Sequence, residues 1–226
     1  MDSIIVNDVK NKIGGDVAVA YSHEKLPFHV LEFGENKYPL VVDTSGRYVI
    51  DGKIIDAETG VEFLEGYKTQ KYYEVIERMN DSEFITYASV GEKKSTLYVM
   101  SDPSCPYCKK FHQEISDLNK NGVEVKIILF NRNNTGTPSG LLDTKIANIL
   151  NSEDKNNVLD SVMNGDQIEL KHLDKFDSLD LKQLNTNFNN AIDARMTGTP
   201  FSLLVPLDGA NKLIEGYVPA KSILLL

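Results

Sequence analysis

Apolar residues recur along this chain with changing periods, and each period points to a different element. Near the amino end Ile5, Val9 and Ile13 stand at helical spacing until Gly14-Gly15 stops the pattern, which predicts a short helix. Phe28–Phe33, Tyr38–Val42, Arg47–Ile50 and Lys53–Asp56 are short runs of strand-forming residues. The intervening Thr44-Ser45-Gly46 and Asp51-Gly52 carry turn chemistry, the second being a strong hairpin signal. Residues 1–66 therefore read as a small α+β unit. Across 67–83 the period returns to that of a helix. Thr69 stands where an N-cap would, Tyr72, Val75, Ile76 and Met79 share one face, and Asn80-Asp81-Ser82 ends the run.

From Phe84 onward the predicted order is strand, helix, strand, several helices, hairpin, helix. Thr96–Met100 is a strand. Ser104 is placed to cap a helix whose apolar positions are Cys108, Phe111, Ile115 and Leu118, closed by Asn121-Gly122. Val123–Phe130 is nearly continuous in apolar residues, the pattern of a strand buried on both faces of a parallel sheet. Leu141–Leu150, Val158–Met163 and Leu181–Arg195 carry helical spacing. Phe201–Val205 and Lys212–Gly216 are strands joined by Leu207–Asn211, hence antiparallel, and Pro219–Leu226 is a short last helix. The asparagine clusters at 131–134 and 185–190 read as solvated surface.

Composition narrows the function classes more than the fold. The 226 residues are 41% hydrophobic and 25% charged, ordinary for a globular chain with a sizeable core. With 24 basic and 33 acidic residues the net charge is −9, which argues against a nucleic-acid surface or a polybasic membrane anchor. Residues 1–66 hold 6 basic and 12 acidic residues, most of that excess, and so have a surface character of their own. No run approaches the roughly 18 apolar residues of a membrane span. The first residues lack the layout of a secretory signal, so the chain is expected to be cytosolic or to have had a signal removed.

Candidate chemistry centres on the two cysteines, which form Cys105-Pro106-Tyr107-Cys108. A disulfide scaffold would need more cysteines at longer spacing, and a structural zinc site would need two further soft ligands. His23, His29, His112 and His172 give no second pair at such a spacing, so neither metal nor cofactor is expected. What remains is a reversible dithiol. Strand, short turn and Cys-x-x-Cys at a helix start place Cys105 at the first helical position, where orphan N–H groups and the dipole favour a thiolate. Pro106 costs no hydrogen bond in the first turn. Cys108, one turn on, faces the core as the resolving thiol, leaving Cys105 as the accessible nucleophile. His112 reads as a packing or surface residue rather than a base. Asp102 fits either a turn residue or a group that tunes the sulfurs. Thr199-Pro200, directly before a predicted strand, is compatible with a trans proline at an edge or with a cis bond.

Taken together, the cysteine motif at a strand-to-helix turn and Thr199-Pro200 before a hairpin resemble the thioredoxin fold. Cys-Pro-Tyr-Cys also occurs in glutaredoxins, but Cys108 and Pro200 lie 92 positions apart, and the excess is helical, as in the Dsb proteins of the bacterial envelope. Ser101-Asp102-Pro103-Ser104-Cys105-Pro106-Tyr107-Cys108-Lys109-Lys110-Phe111 resembles the DsbG active-site stretch, while Gly198-Thr199-Pro200 and Gly216-Tyr217 resemble DsbC. Tyr38-Pro39-Leu40-Val41-Val42, Gly46 through Gly52 and Ile55-Asp56 resemble strands of the DsbC/DsbG dimerisation domain. The resemblance implies a cystatin-like dimerisation domain over 1–66, a linker helix over 67–83, and a thioredoxin-like catalytic domain over 84–226 with a helical insert at about 137–196. It further implies a cis Pro200 against the sulfurs of Cys105 and Cys108, with Pro106, Tyr107 and Thr199 lining the client site.

The function implied by that resemblance is disulfide isomerisation or reduction in misoxidised or partly unfolded clients of the periplasm. Its partners would be a second copy through residues 1–66 and a membrane reductase of the DsbD kind. A DsbG-like sulfenic-acid reductase, a holdase chaperone with incidental thiols, and a disulfide-donating oxidant are the alternatives. The chain departs from some DsbC proteins in having no cysteines for a second, structural disulfide. It also lacks the active-site histidine of the strongly oxidising DsbA type.

Overall fold

A computed structural model describes the chain except for residues 1–6, 8, 13, 23–25, 36, 51, 59, 61 and 134–136. The chain divides into two compact units, residues 1–72 with 192–195, and 73–191 with 196–226. Of the helix expected around Ile5, Val9 and Ile13, residues 9–12 are helical while Ile5 and Ile13 lie outside the described residues, as does Asp51 of the second turn signal.

In the first unit, strands β1 (Val17–Ser22), β2 (Phe28–Phe33), β3 (Tyr38–Asp43) and β4 (Val49–Ile50) form an antiparallel sheet in sequence order. Adjacent strand residues face opposite ways, so the complete burial of both Val30 and Leu31 requires cover on both faces of β2. Val30 packs with Val41, Leu64 and Tyr67, the last two from helix α1 (Phe63–Glu77). Leu31 packs with Val9 and Val42. The turn after β3 is built on Asp43, whose carboxylate accepts from the backbone of Ser45, Arg47 and Tyr48 while Gly46 takes φ 68°.

Two expectations for this region are corrected and one strand is added. β1 was not foreseen, because its alternate positions are Ala18 and Ala20, too small to mark a strand face. Lys53–Asp56 contributes only an isolated bridge, Ile55 to Glu62. The helix expected over 67–83 begins earlier and ends earlier, at Phe63–Glu77, so Thr69 lies inside it rather than at its cap.

The second unit holds a five-stranded sheet in the order β5-β7-β6-β8-β9. Its strands are β5 (Ile85–Tyr87), β6 (Ser95–Ser101), β7 (Val123–Leu129), β8 (Phe201–Pro206) and β9 (Lys212–Glu215). Only β6 and β7 are parallel, joined by the crossover helices α2 (Pro106–His112) and α3 (Ile115–Lys120); the other pairings are antiparallel. A parallel pair needs such a crossover. Leu97 and Val99 alternate with Met100 along β6 and all are sealed from solvent, which marks this strand as central. Between β7 and β8 come α4 (Gly140–Leu150), α5 (Lys155–Asn164) and α6 (Lys182–Asp193), and α7 (Ala220–Ile223) follows β9.

The single helix expected after Ser104 is interrupted at Gln113-Glu114, where Glu114 N–H donates to Phe111 one residue short of the α-helical partner. Nor are the asparagine clusters wholly solvated. Buried Asn131 donates to Asp143, buried Asn187 donates to the Leu129 carbonyl, and Asn190 accepts from Arg78. These amides satisfy polar groups at strand and helix ends that burial would otherwise leave without water.

The end of α3 supplies a stability test. Gly122 has φ 87°, and a Cβ there would lie 2.7 Å from the Glu92 carbonyl oxygen. Gly122→Ala is expected to destabilise the protein by roughly 2–4 kcal/mol, combining left-handed strain with a backbone clash. Urea unfolding of the two proteins measures it, and a loss below about 1 kcal/mol would contradict the clash.

Candidate functional site

Sheet register brings the two predicted motifs together. Met100 pairs with Phe201, and Ser101 pairs with Leu129. The chain leaving β6 toward the cysteines is therefore level with the residues entering β8. The Thr199–Pro200 peptide bond there is cis, and the Thr199 carbonyl accepts a hydrogen bond from Cys105 Sγ at 3.4 Å.

The turn that delivers Cys105 is organised by Asp102. This side chain is fully buried; its Oδ1 accepts from Ser104 N at 2.7 Å and Ser104 Oγ at 2.6 Å. Its Oδ2 accepts from Arg132 N at 3.1 Å, with Arg132 Nε at 3.6 Å. Cys105 N–H closes the turn onto the Asp102 carbonyl at 3.0 Å. Of the two roles open to Asp102 from sequence, these contacts build the turn one. Ser104 is thereby occupied before the helix starts: the N-cap is Cys105 itself, in extended conformation, with Pro106 at the first helical position. Cys105 thus stands one residue earlier than expected, with its side chain aimed at the amide groups of the first turn.

Both cysteines are free thiols. Cys105, expected to be accessible, is only 2% exposed, and Cys108 is fully buried. Sequence spacing gives no warning that a segment 94 residues away will cover the nucleophile. Burial raises the Cys105 pKa, but the Thr199 hydroxyl, the backbone and thiol of Cys108 and the backbone amide of Tyr107 together outweigh it and hold the thiol below its ordinary value. Cys108 goes the other way. Burial pushes it up to about 11 against opposing hydrogen bonds from the Asp102 amide and the Ser101 hydroxyl. Thr199 Oγ1 is buried without a hydrogen-bond partner, and its hydroxyl favours the charged form of both sulfurs. Two thiols of opposed acidity on one helical turn suit thiol–disulfide exchange.

Near the pair the structure adds contacts that the sequence does not give. Half-buried Tyr217 lies against Tyr107, and its hydroxyl donates to Glu114. His112 is buried and bonded to Asp160 at 2.8 Å, and the same carboxylate accepts from Tyr87. Its pKa is lowered by burial, against the pull of Asp160, consistent with packing. The hydrogen-bonded partners are separated by 48 to 103 residues, so local periodicity carries no trace of them. Among the described residues no group of three histidine, cysteine or carboxylate side chains is arranged to hold a metal ion. Nor is any described helix long and apolar enough to cross a membrane.

Residues 81–226 match a family model described as a thioredoxin-like domain, and the chain belongs to that family. The chain also has curated relatives among the thiol:disulfide interchange proteins. It is 24% identical over 187 residues to the thiol:disulfide interchange protein DsbC of Escherichia coli K12, an alignment covering 82% of this chain and 71% of that one. A linker-deletion mutant of Proteus mirabilis ScsC shares the fold, with TM-score 0.52 and 18% identity over 71% of this chain and 80% of its own. Helicobacter pylori DsbG, also 18% identical, aligns with 89% of this chain and 99% of its own at TM-score 0.43.

Proposed function

We propose that the chain is a thiol–disulfide isomerase and reductase of the bacterial periplasm that corrects disulfides in partly unfolded proteins. The observation that supports this most directly is the split acidity of Cys105 and Cys108 beneath the Thr199 carbonyl. The Cys105 thiolate attacks one sulfur of a client disulfide; a Cys105–client bond forms and the other client sulfur leaves as thiolate. When a second client thiolate attacks the client sulfur of this mixed disulfide, Cys105 departs unchanged and the client has been isomerised with no net transfer of electrons. When none arrives, Cys108 attacks Cys105. The client leaves with both thiols, and the two electrons come from the enzyme pair, which becomes a disulfide.

Thr199 would align an extended client segment beside the sulfurs by backbone pairing, with Pro200, Pro106 and exposed Tyr107 forming the rim. Residues 1–66 would be a cystatin-like domain that joins two copies, 67–83 a linker and 84–226 the catalytic domain, with 137–196 as its insert. The presence of two compact units, each with its own sheet, supports a two-domain division, and a membrane reductase of the DsbD kind would restore the dithiol.

Catalytic amounts of the reduced protein should restore activity to a scrambled protein with several disulfides. Cys105→Ser should return recovery to the uncatalysed rate. Fast oxidation of a reduced client by the disulfide form, without reshuffling, would overturn the reading in favour of an oxidant. Silence in both assays would leave a sulfenic-acid reductase or a holdase in its place.

A further inference from the structure

Beside the cysteines, Tyr107 and Lys110 of α2 meet Tyr217, from far along the chain, in a rigid aromatic surface. Tyr107 is 61% exposed. It is stacked on Tyr217, with centroids 6.3 Å apart and planes 22° from parallel. Lys110, one turn along α2, holds its ammonium 4.5 Å from the Tyr217 ring centre. Tyr217 is itself fixed. Its hydroxyl donates to Glu114, and the second oxygen of that carboxylate accepts from Ala220 N at 2.6 Å, at the start of α7. The interruption between α2 and α3 places Glu114 where it can make both contacts. A ring held this way loses little freedom when a ligand stacks on it, so its contact area is available for binding.

We propose that Tyr107, backed by Tyr217 and Lys110, is the specificity element of the exchange reaction. It recognises an extended client segment that carries an aromatic side chain beside its cysteine and a carboxylate within reach of Lys110. This rests on the reading of Cys105 as the nucleophile, because Tyr107 lies two residues from it. The aromatic preference follows from the exposed face of Tyr107, since offset aromatic pairs gain beyond the area they bury. The carboxylate preference follows from charge. Among the described residues the Lys110 ammonium has no carboxylate in salt-bridge range, and Glu114 is engaged by Tyr217 and Ala220. Tyr217 acts through Tyr107 and is a positioning residue.

Peptides holding cysteine as a mixed disulfide with glutathione test this, with phenylalanine or alanine next to the cysteine. Rates with the reduced full-length protein are divided by its rate with oxidised glutathione. Phenylalanine should be favoured about five-fold in the parent. The preference should fall below about two-fold in both Tyr107→Leu and Tyr217→Leu, recover in Tyr217→Phe, and be no lower in the double leucine variant than in either single one. Replacing a peptide aspartate by lysine should slow the parent but not Lys110→Met. Exchange without aromatic preference, or a preference that both leucine variants retain, would overturn the platform alone. Absence of exchange with every peptide and with oxidised glutathione would overturn the reading of Cys105, and the platform with it.

Discussion

At pH 7, iodoacetamide is expected to alkylate Cys105 in preference to Cys108 by roughly 100-fold or more, read from the masses of the two modified peptides. Only thiolates react. With a pKa of about 11, Cys108 has a thiolate fraction on the order of 10⁻⁴ at that pH. Cys105 lies below the ordinary thiol value, where at least about one molecule in a hundred is ionised. Access works in the same direction, since Cys108 is sealed and Cys105 is 2% exposed.

The pH dependence has a definite sign for each group. Cys105 is depressed in the folded state, so the dithiol form gains stability as pH rises through its folded value. Cys108 is raised, so the stability it contributes is complete below the unfolded thiol value and is lost as pH climbs toward about 11. In urea the two environments vanish and the alkylation margin should collapse. Thr199→Val removes the hydroxyl that faces both sulfurs and should move the Cys105 inflection to higher pH. Equal labelling of the two cysteines in the folded protein would contradict the whole electrostatic account.

The parts of this site that sequence discloses are those set by neighbours in the chain. Cys-Pro-Tyr-Cys after a strand implies a helix start because proline tolerates the first turn, and Pro106 occupies that position. The β8–β9 hairpin was equally legible, from two apolar runs around Leu207–Asn211. What escaped depends on residues that meet only after folding. Nothing local assigns Cys105 a cover, because the cover is the Thr199 carbonyl. Nothing local distinguishes Asn187, donating to Leu129, from the neighbouring asparagines. The helix bounds at Phe63–Glu77 were displaced because Thr69 is a good capping residue, yet Leu64 and Tyr67 bury against Val30 and Val41 and draw the helix backward. Packing overrides capping there, as tertiary contacts commonly override a local preference.

Asp102 is where the structure predicts its largest loss of stability from one substitution. A fully buried carboxylate is tolerable only when both of its oxygens are hydrogen-bonded, and here Ser104 supplies two donors and Arg132 a third, with its guanidinium near by. Asp102→Ala takes the acceptor from three part-buried donors of Ser104 and Arg132 and is expected to cost about 3–5 kcal/mol in urea unfolding of the dithiol form. Asp102→Asn discriminates the cause. Its carbonyl oxygen can still accept from Ser104, but its amide turns donors toward the Arg132 N–H, so it should fall between the parent and the alanine variant. The damage should also reach the thiols, because the Asp102 amide donates to Cys108 and its carbonyl anchors Cys105 N–H. A displaced turn would therefore narrow the alkylation margin between the cysteines along with the stability. If Asp102→Ala instead matched the parent in stability while the margin narrowed, the carboxylate would be tuning the sulfurs through its charge, the other role its position in the sequence allowed.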